Sequence, residues 1–467
     1  MTFHPIWPWL PSPSQHFLVV TFALLVYVLT TRARREQRAP ATAIAWVMGL
    51  VLMPYVALPA YLMFGQRKLR PAGVPRPPRT APAGHWAAEL IESFGLAPPS
   101  PCEAHFHADG AAARDALWRV IDGARDRIDV CTFIIGDDEL GHEAIARLAR
   151  RAQEGVQVRL LLDGFGALTL PRRYFDTLRA AGGKVTVFRP LFSLRRSGPR
   201  NLRNHRKLVI ADDQRLWSGG RNLAGEYFTG NDVIPVPWRD LSFDLEGGVA
   251  LAAAKQFDRD WISVRQGPPR LIAPDTGIPV AQDPDVAEET RFAQFLPSGP
   301  DQTEDTAHAL LIDACFRAEQ RVLAITPYFV PDDSLRDALR LAARRGVQVT
   351  IAIPARSNHA LTDFVRARAM RDLADAGVTF RMLPFMAHAK AVVVDETLAM
   401  CGSINLDQRS LLLNHEAAVV FYGRRDIDWI AQWIDTTAAA GEPFRTRRPG
   451  LLRDLGEGLL LTIAFQL

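Results

Sequence analysis

A histidine and a lysine one residue apart, an aspartate beyond them and a glycine–asparagine turn after that occur twice in the 467-residue chain. The copies are His205-x-Lys207-x4-Asp212 with Gly219-Gly220-x-Asn222, and His388-x-Lys390-x4-Asp395 with Gly402-Ser403-x-Asn405. Arginine replaces lysine nearly everywhere else, yet two of the five lysines (Lys68, Lys184, Lys207, Lys255 and Lys390) hold the same motif position. A neutral imidazole can attack phosphorus and leave again, and a second imidazolium can protonate the departing alkoxide. Two histidines facing one phosphate provide both functions. A phosphodiester is anionic and gains charge on its non-bridging oxygens during displacement, so fixed donors there lower the barrier. Lys207, Lys390, Asn222 and Asn405 are the candidate donors. Because the lysines supply positive charge, the expected site needs no metal and no cofactor, and the sequence offers no His/Asp/Cys ligand cluster. A carboxylate on the far ring nitrogen fixes a histidine's tautomer and stabilises its cation. Asp240 and Glu416, at the start of the closing strand of each half, are the candidates for that role. Asp212 and Asp395 complete the two candidate catalytic triplets. Lying at the other end of the motif strand, they are expected to bond backbone or turn groups.

The segments around both motifs follow one order. In the first half, Ala116 to Arg127 has helical apolar spacing and leads into the strand-like IDVCTFIIG; DDELG then opens a helix that ends at Gly155 before VQVRLLLDGFG. In the second half, Ala309 to Gln320 leads into VLAITPYFV, then PDDSLRDALRLAARR, Gly346 and VQVTIAIP. Each half continues through a helix and a strand to its motif. HRKLVIAD and HAKAVVVD alternate so that His and Lys share one strand face. The expected fold is therefore α/β, with two repeated lobes of mixed sheet flanked by helices, related by a pseudo-twofold axis and meeting at one active site.

A hydrophobic content of 48% supports real cores, and a formal charge of +4 is too small to argue for nucleic acid by itself. The four cysteines, Cys102, Cys131, Cys315 and Cys401, have no metal or disulfide spacing. Residues 1–70 are expected to hold a membrane hairpin with apolar segments at about 17–31 and 41–65. The second is read as the surer span, because the first falls short of the usual ~20 residues. Residues 71–100, rich in Pro, Ala and Gly, read as a linker; 101–290 and 291–448 as the two lobes; and 449–467 as an apolar tail. Trp7 and Trp9 suit an interfacial belt.

The constellation resembles the phospholipase D superfamily from about Cys102 to Gly423. Within it the closer likeness is to bacterial cardiolipin synthases, carried by PLFSLRRSGPRNLRNHRKLVIADD, the GGRNLAGEY turn, WRD at Trp238 to Asp240, TPYFVPDDSL, GSINLDQRSLLLNHE and the paired apolar segments. Gly220 stands where the superfamily has Ser. The resemblance implies a multi-pass enzyme of the bacterial plasma membrane that acts on phosphatidylglycerol, with a phospholipid membrane as partner, no nucleic acid and no obligate protein partner. It implies that His205 attacks one phosphatidylglycerol, glycerol leaves, and a second phosphatidylglycerol accepts the phosphatidyl group, with His388 as acid and then base. A hydrolytic phospholipase D is the nearest alternative, followed by a nucleic-acid phosphodiesterase and a lipid-binding pseudoenzyme. Arg195, Arg196, Arg200, Arg203 and Arg206 read as a basic loop, solvated or facing anionic headgroups. His359 is a loop histidine near the same strand ends. Asp163 and Gly164 read as turn residues, and His105, His107, His142, His308 and His415 have no spacing that suggests a site.

Overall fold

The computed structural model describes residues 12–34, 40–65, 67–68, 84–190, 201–266, 291–446, 449–450, 453, 456–457 and 460. Trp7, Trp9, Arg195, Arg196, Arg200 and most of the C-terminal tail lie outside the described residues.

The first half contributes strands β1 (Ser100–His107), β2 (Arg127–Thr132), β3 (Gln157–Asp163), β4 (Lys184–Phe188), β5 (Leu208–Ala211), β6 (Arg215–Gly219) and β7 (Ser242–Gly247). The second contributes β8 (Phe292–Ser298), β9 (Arg321–Ile325), β10 (Phe329–Val330), β11 (Gln348–Pro354), β12 (Thr379–Leu383), β13 (Ala391–Val394), β14 (Leu398–Gly402), β15 (Leu406–Asp407), β16 (Glu416–Phe421) and β17 (Glu442–Pro443). All but β10 and β15 join one 15-stranded sheet, ordered β17-β12-β11-β9-β13-β14-β16-β8-β1-β7-β6-β5-β2-β3-β4. Within each half, three strands run parallel (β2, β3, β4; β9, β11, β12) and the motif strand, β5 or β13, pairs antiparallel with the first of them. The halves meet where β1 and β8 pair antiparallel at Ser100↔Ala293 and Pro101↔Phe292, as a twofold relation requires. The expected two-lobed mixed α/β architecture is what forms.

Local chemistry explains the repeat. The continuous apolar runs of β2 and β3 suit parallel strands covered on both faces by helices. Asp138 and Asp332 cap the helices Glu139–Gln153 and Asp333–Arg344 by accepting from backbone N–H groups of their first turns. Both helices end at a left-handed glycine, Gly155 and Gly346, each at φ +95°, which returns the chain to the next strand without a Cβ clash. One apolar core runs through both halves, joining Phe243, Phe257 and Trp261 to Phe295, Phe421 and Ile430.

Two expectations need correction. The helix Pro13–Arg34 has 22 residues and is the one helix among the described residues long and apolar enough to cross a membrane. The second apolar stretch breaks at Met53, because Pro54 cannot continue a helical hydrogen-bond ladder. The resulting helices, Pro40–Leu52 and Pro54–Phe64, have 13 and 11 residues, which at about 1.5 Å per residue fall short of a ~30 Å core. The ranking of the segments is thus reversed, and a two-span, multi-pass hairpin is not supported. The three helices pack together through Ala23, Tyr27, Leu50 and Tyr61. Within the stretch read as linker, Trp86–Ser93 forms a helix whose Ala87 and Ile91 enter the second half's core.

The basic loop also differs. Arg203 and Arg206 are buried rather than solvated. Arg206 is fully buried between the halves, where it donates to Asp260 at 2.6 Å, to Asp301 at 3.0 Å, and to the carbonyls of Glu416 at 3.0 Å and Ser298 at 3.2 Å. Removing one partner of such a network leaves buried charge uncompensated. Arg206→Ala is expected to destabilise the protein by roughly 3–5 kcal/mol. Thermal unfolding of the detergent-solubilised full chain checks this, and Arg206→Lys, which lacks the guanidinium fork, should recover only part of the loss.

Candidate active site

The strands β5 and β13 begin only after the lysines, so the His-x-Lys segments are not in the sheet as expected. They are extended lead-ins that pair with the other half. Asn204 bridges His415, and Arg239 bridges Ala387, both in parallel sense. His205 N donates to His415 O at 2.8 Å and His415 N to Arg203 O at 2.8 Å; His388 N donates to Arg239 O at 2.7 Å and Arg239 N to Met386 O at 2.9 Å. This one-residue ladder across the interface sets each histidine beside the acid of the opposite half. His205 Nδ1 lies 3.2 Å from Glu416 Oε2, and His388 Nδ1 lies 2.8 Å from Asp240 Oδ2. With Nδ1–H donating to a carboxylate, each neutral ring keeps its lone pair on Nε2.

The carboxylates are themselves fixed. Asp240 Oδ1 accepts from Leu241 N at 2.7 Å, whereas Glu416 accepts from Ser403 Oγ, from Ser410 Oγ at 2.6 Å and from Asn414 Nδ2 at 3.3 Å. Burial alone would raise both acids, but the histidine and lysine partners prevail and hold them below the ordinary carboxylate range. A Cβ on Gly220 would lie 2.1 Å from Asp240 Oδ1, so the departure from Ser is a steric requirement of this acid's position. Ser403, the counterpart, has room for a hydroxyl that donates to Glu416.

Both lysines are buried beside the rings. Lys207 Nζ donates to His205 O at 2.9 Å, while Lys390 Nζ lies against the His388 ring, 2.9 Å from Nδ1 and 3.0 Å from Nε2. Burial lowers Lys207 to about 8 and Lys390 to about 7. Burial, with the nearby lysines, also lowers His205 to about 4 and His388 to about 3, so both rings are neutral at pH 7 in the unliganded site. The buried carboxamide oxygens of Asn222 and Asn405 have no hydrogen-bond partner among the described residues. These oxygens are acceptors at equivalent positions of the two halves, and a group that satisfies them must bring a donor. Around the rings, Phe133 packs edge-on to His205 at 4.7 Å between centroids, and Tyr227 to His388 at 4.9 Å.

Asp212 and Asp395 are not among these groups. Asp212 accepts from the backbone N–H groups of Arg125, Asp126 and Arg127, and Asp395 from those of Glu319, Gln320 and Arg321. Both hold left-handed turns, at φ 54° and 49°. Asp163 accepts from Phe165 N at 2.7 Å and Asn204 N at 2.8 Å, which fixes the residue before His205. His359 is exposed and packs on Tyr328, whose ring is 6.4 Å from His388. Sequence reasoning missed His415, which holds the backbone of His205, and no spacing signal could have revealed it. Asp260, Asp301 and His415 cluster as metal ligands might, but Arg206 already bonds both carboxylates.

A family model described as "Cardiolipin synthase, PLD-like domain" matches residues 117–261 and 311–437, and one described as "Phospholipase_D-nuclease N-terminal" matches 19–66. The fold resembles that of phosphatidylserine synthase from Haemophilus influenzae Rd KW20, with a TM-score of 0.59 and 14% identity over 81% of this chain and 98% of that one. The chain is thus an enzyme of the phospholipase D superfamily, a phosphatidyltransferase in class. Cardiolipin synthase A of Pseudomonas entomophila (strain L48) is 33% identical over 90% of this chain and 91% of its own length, and that of Pseudomonas putida 33% identical over 90% of each. The chain belongs to the cardiolipin synthase family.

The steric reading of Gly220 is testable. Gly220→Ala is expected to displace Asp240 and lower kcat roughly 10- to 100-fold, as loss of a supporting partner does. Ser403→Ala, which leaves Glu416 two side-chain donors besides His205, should cost less. Steady-state kinetics with thermal melts of both variants check the order.

Proposed function

We propose that the chain transfers a phosphatidyl group from one phosphatidylglycerol to another, releasing glycerol and forming cardiolipin at the plasma membrane. The observation that carries this reading is the reciprocal pairing of two neutral histidines with the opposite half's acids, beside two buried lysines. His205 Nε2 attacks phosphorus, the P–O bond to glycerol breaks, and the departing oxygen takes the proton carried by His388. The hydroxyl of a second phosphatidylglycerol then gives its proton to His388, attacks phosphorus and releases neutral His205. Two in-line displacements give overall retention at phosphorus.

Three features support these assignments. Each lysine donates to the carbonyl of its own motif histidine, but Lys390 Nζ also lies against the His388 ring, 3.0 Å from Nε2. The His205 side chain is 12% exposed and that of His388 only 4%, which suits the group that must reach phosphorus. A bound phosphodiester anion also offsets the lysine charges that depress His388, so the proton is favoured there once the substrate is in place. Asn222 and Asn405 complete the cradle for the non-bridging oxygens, and Asp240 and Glu416 keep the tautomers.

Mass spectrometry of lipids after incubating the enzyme with phosphatidylglycerol is expected to show cardiolipin and glycerol. His205→Ala should form neither; phosphatidic acid with glycerol, and no cardiolipin, from the wild type makes the enzyme a hydrolase. His388→Asn should accumulate a phosphatidyl adduct on His205, detectable on the intact protein. The pH dependence follows from the two lysines and His205. kcat/KM should fall as pH rises through about 7 to 8, where Lys390 and Lys207 lose their charge, and fall again below about 4, where His205 gains a proton. Lys390→Arg keeps its charge in that range, so its alkaline limb should move to higher pH.

A further inference from the structure

Outside the N-terminal helices, eight large apolar side chains are exposed among the described residues, and five of them sit on three segments around the catalytic pair: Phe165 and Leu168, Val233 and Val236, and Leu361 in the first turn of the helix Ala360–Ala374. Scattered exposed hydrophobes are ordinary, but a cluster at a site mouth is not. Ring contacts tie each segment to a histidine. Phe165 stacks on Phe133 at 6.1 Å, and Phe133 packs on His205 at 4.7 Å. Val233 is 86% and Val236 74% exposed on the segment that ends at Trp238, whose ring is 5.8 Å from His388. Leu361 follows His359, which reaches His388 through Tyr328. The same segments expose Arg172, Arg173, Arg239 and Arg356, with Asp232 and, just past Arg173, Asp176 as exposed acids.

A second observation orients this rim. Lys68, just past the N-terminal helices, bonds Asp305 at 2.8 Å and the carbonyls of Gly299, Gln302 and Glu304 at 3.2, 3.3 and 3.1 Å. Gly299 directly follows Ser298, which pairs with Glu416 in the sheet. The segment leaving the N-terminal helices is therefore latched at the sheet end that carries the active site.

We propose that this rim is a membrane-docking surface. Phe165, Leu168, Val233, Val236 and Leu361 enter the boundary between headgroups and acyl chains, and the four arginines meet anionic headgroups. The phosphodiester then reaches His205 and His388 while its acyl chains stay in the leaflet. This inference rests on the lipid substrate proposed above and goes further in naming the surface that meets the lipid.

The test uses the full chain reconstituted in phosphatidylglycerol/phosphatidylcholine bilayers. Val233→Asp/Val236→Asp should lower turnover of bilayer phosphatidylglycerol on the order of tenfold while changing turnover of a monomeric short-chain phosphatidylglycerol less than about twofold. An environment-sensitive dye at Val236→Cys, in a Cys102→Ser background, should be quenched by lipid-borne nitroxide more than the same dye at Leu341→Cys, an exposed helix position away from the rim. Equal loss on both substrates, no loss on either, or a dye as water-exposed as the control overturns the proposal. If the wild type turns over neither substrate, the lipid reading fails instead, and the dye still decides whether the rim docks.

Discussion

The site depends on two short backbone ladders that cross the pseudo-twofold interface. Each motif lead-in leaves its own sheet and pairs for a single residue with the lead-in to the opposite half's closing strand, through Asn204↔His415 and Arg239↔Ala387. Main-chain bonds of 2.8 and 2.7 Å hold the amides of His205 and His388 in those ladders. Neither half is complete alone, because the acid that fixes each imidazole belongs to the other. Catalysis is thereby tied to correct assembly of the halves, and the shared core through Phe243, Phe295 and Phe421 supplies the rigidity that this demands.

Electrostatics follow from this geometry. Two ammonium groups and two imidazoles in one buried space cannot all be charged, so burial keeps the rings neutral and brings the lysines toward neutrality. The site suits an anion. Asp240 and Glu416 balance part of this positive charge, and a phosphodiester adds to that balance, which favours the protonation state that the leaving group needs.

The repeat, its α/β order and the groups at the site were legible in the sequence because they depend on local pattern: alternating apolar runs, Asp caps, Gly155 and Gly346, and two identical motif spacings. The crossed pairing was not, since equivalent acids such as Asp240 and Glu416 carry no local mark of which histidine they meet. Arg206 looked like part of a basic surface loop because burial of an arginine is decided by distant partners, here Asp260 and Asp301. The N-terminal segments were misranked because a count of uncharged residues omits both the extension of the first helix through Pro13 and Arg34 and the break that Pro54 imposes. The helix Trp86–Ser93 was hidden by the composition of its neighbours, although its Ala87, Ala88 and Ile91 form an apolar face.

A twofold repeat must still perform two unlike roles, and the departures from symmetry show how. Arg206 stands where the second motif has Ala389, so the His205 segment alone is bolted into the interface by a guanidinium that also holds the Glu416 carbonyl. Glu416 accepts three side-chain hydrogen bonds besides that of His205, while Asp240, crowded by Gly220, keeps little beyond Leu241 N and His388. A nucleophile gains from a fixed ring and a carboxylate whose charge is shared among many donors, because it must form and release a bond to phosphorus along one line. A group that gives and retakes a proton gains instead from a less shared carboxylate and a nearby lysine, whose opposed effects leave its affinity for the proton open to the charge of the substrate. In the proposed mechanism, the asymmetry of the groups around Glu416 and Asp240, rather than of the motifs, divides the labour between His205 and His388.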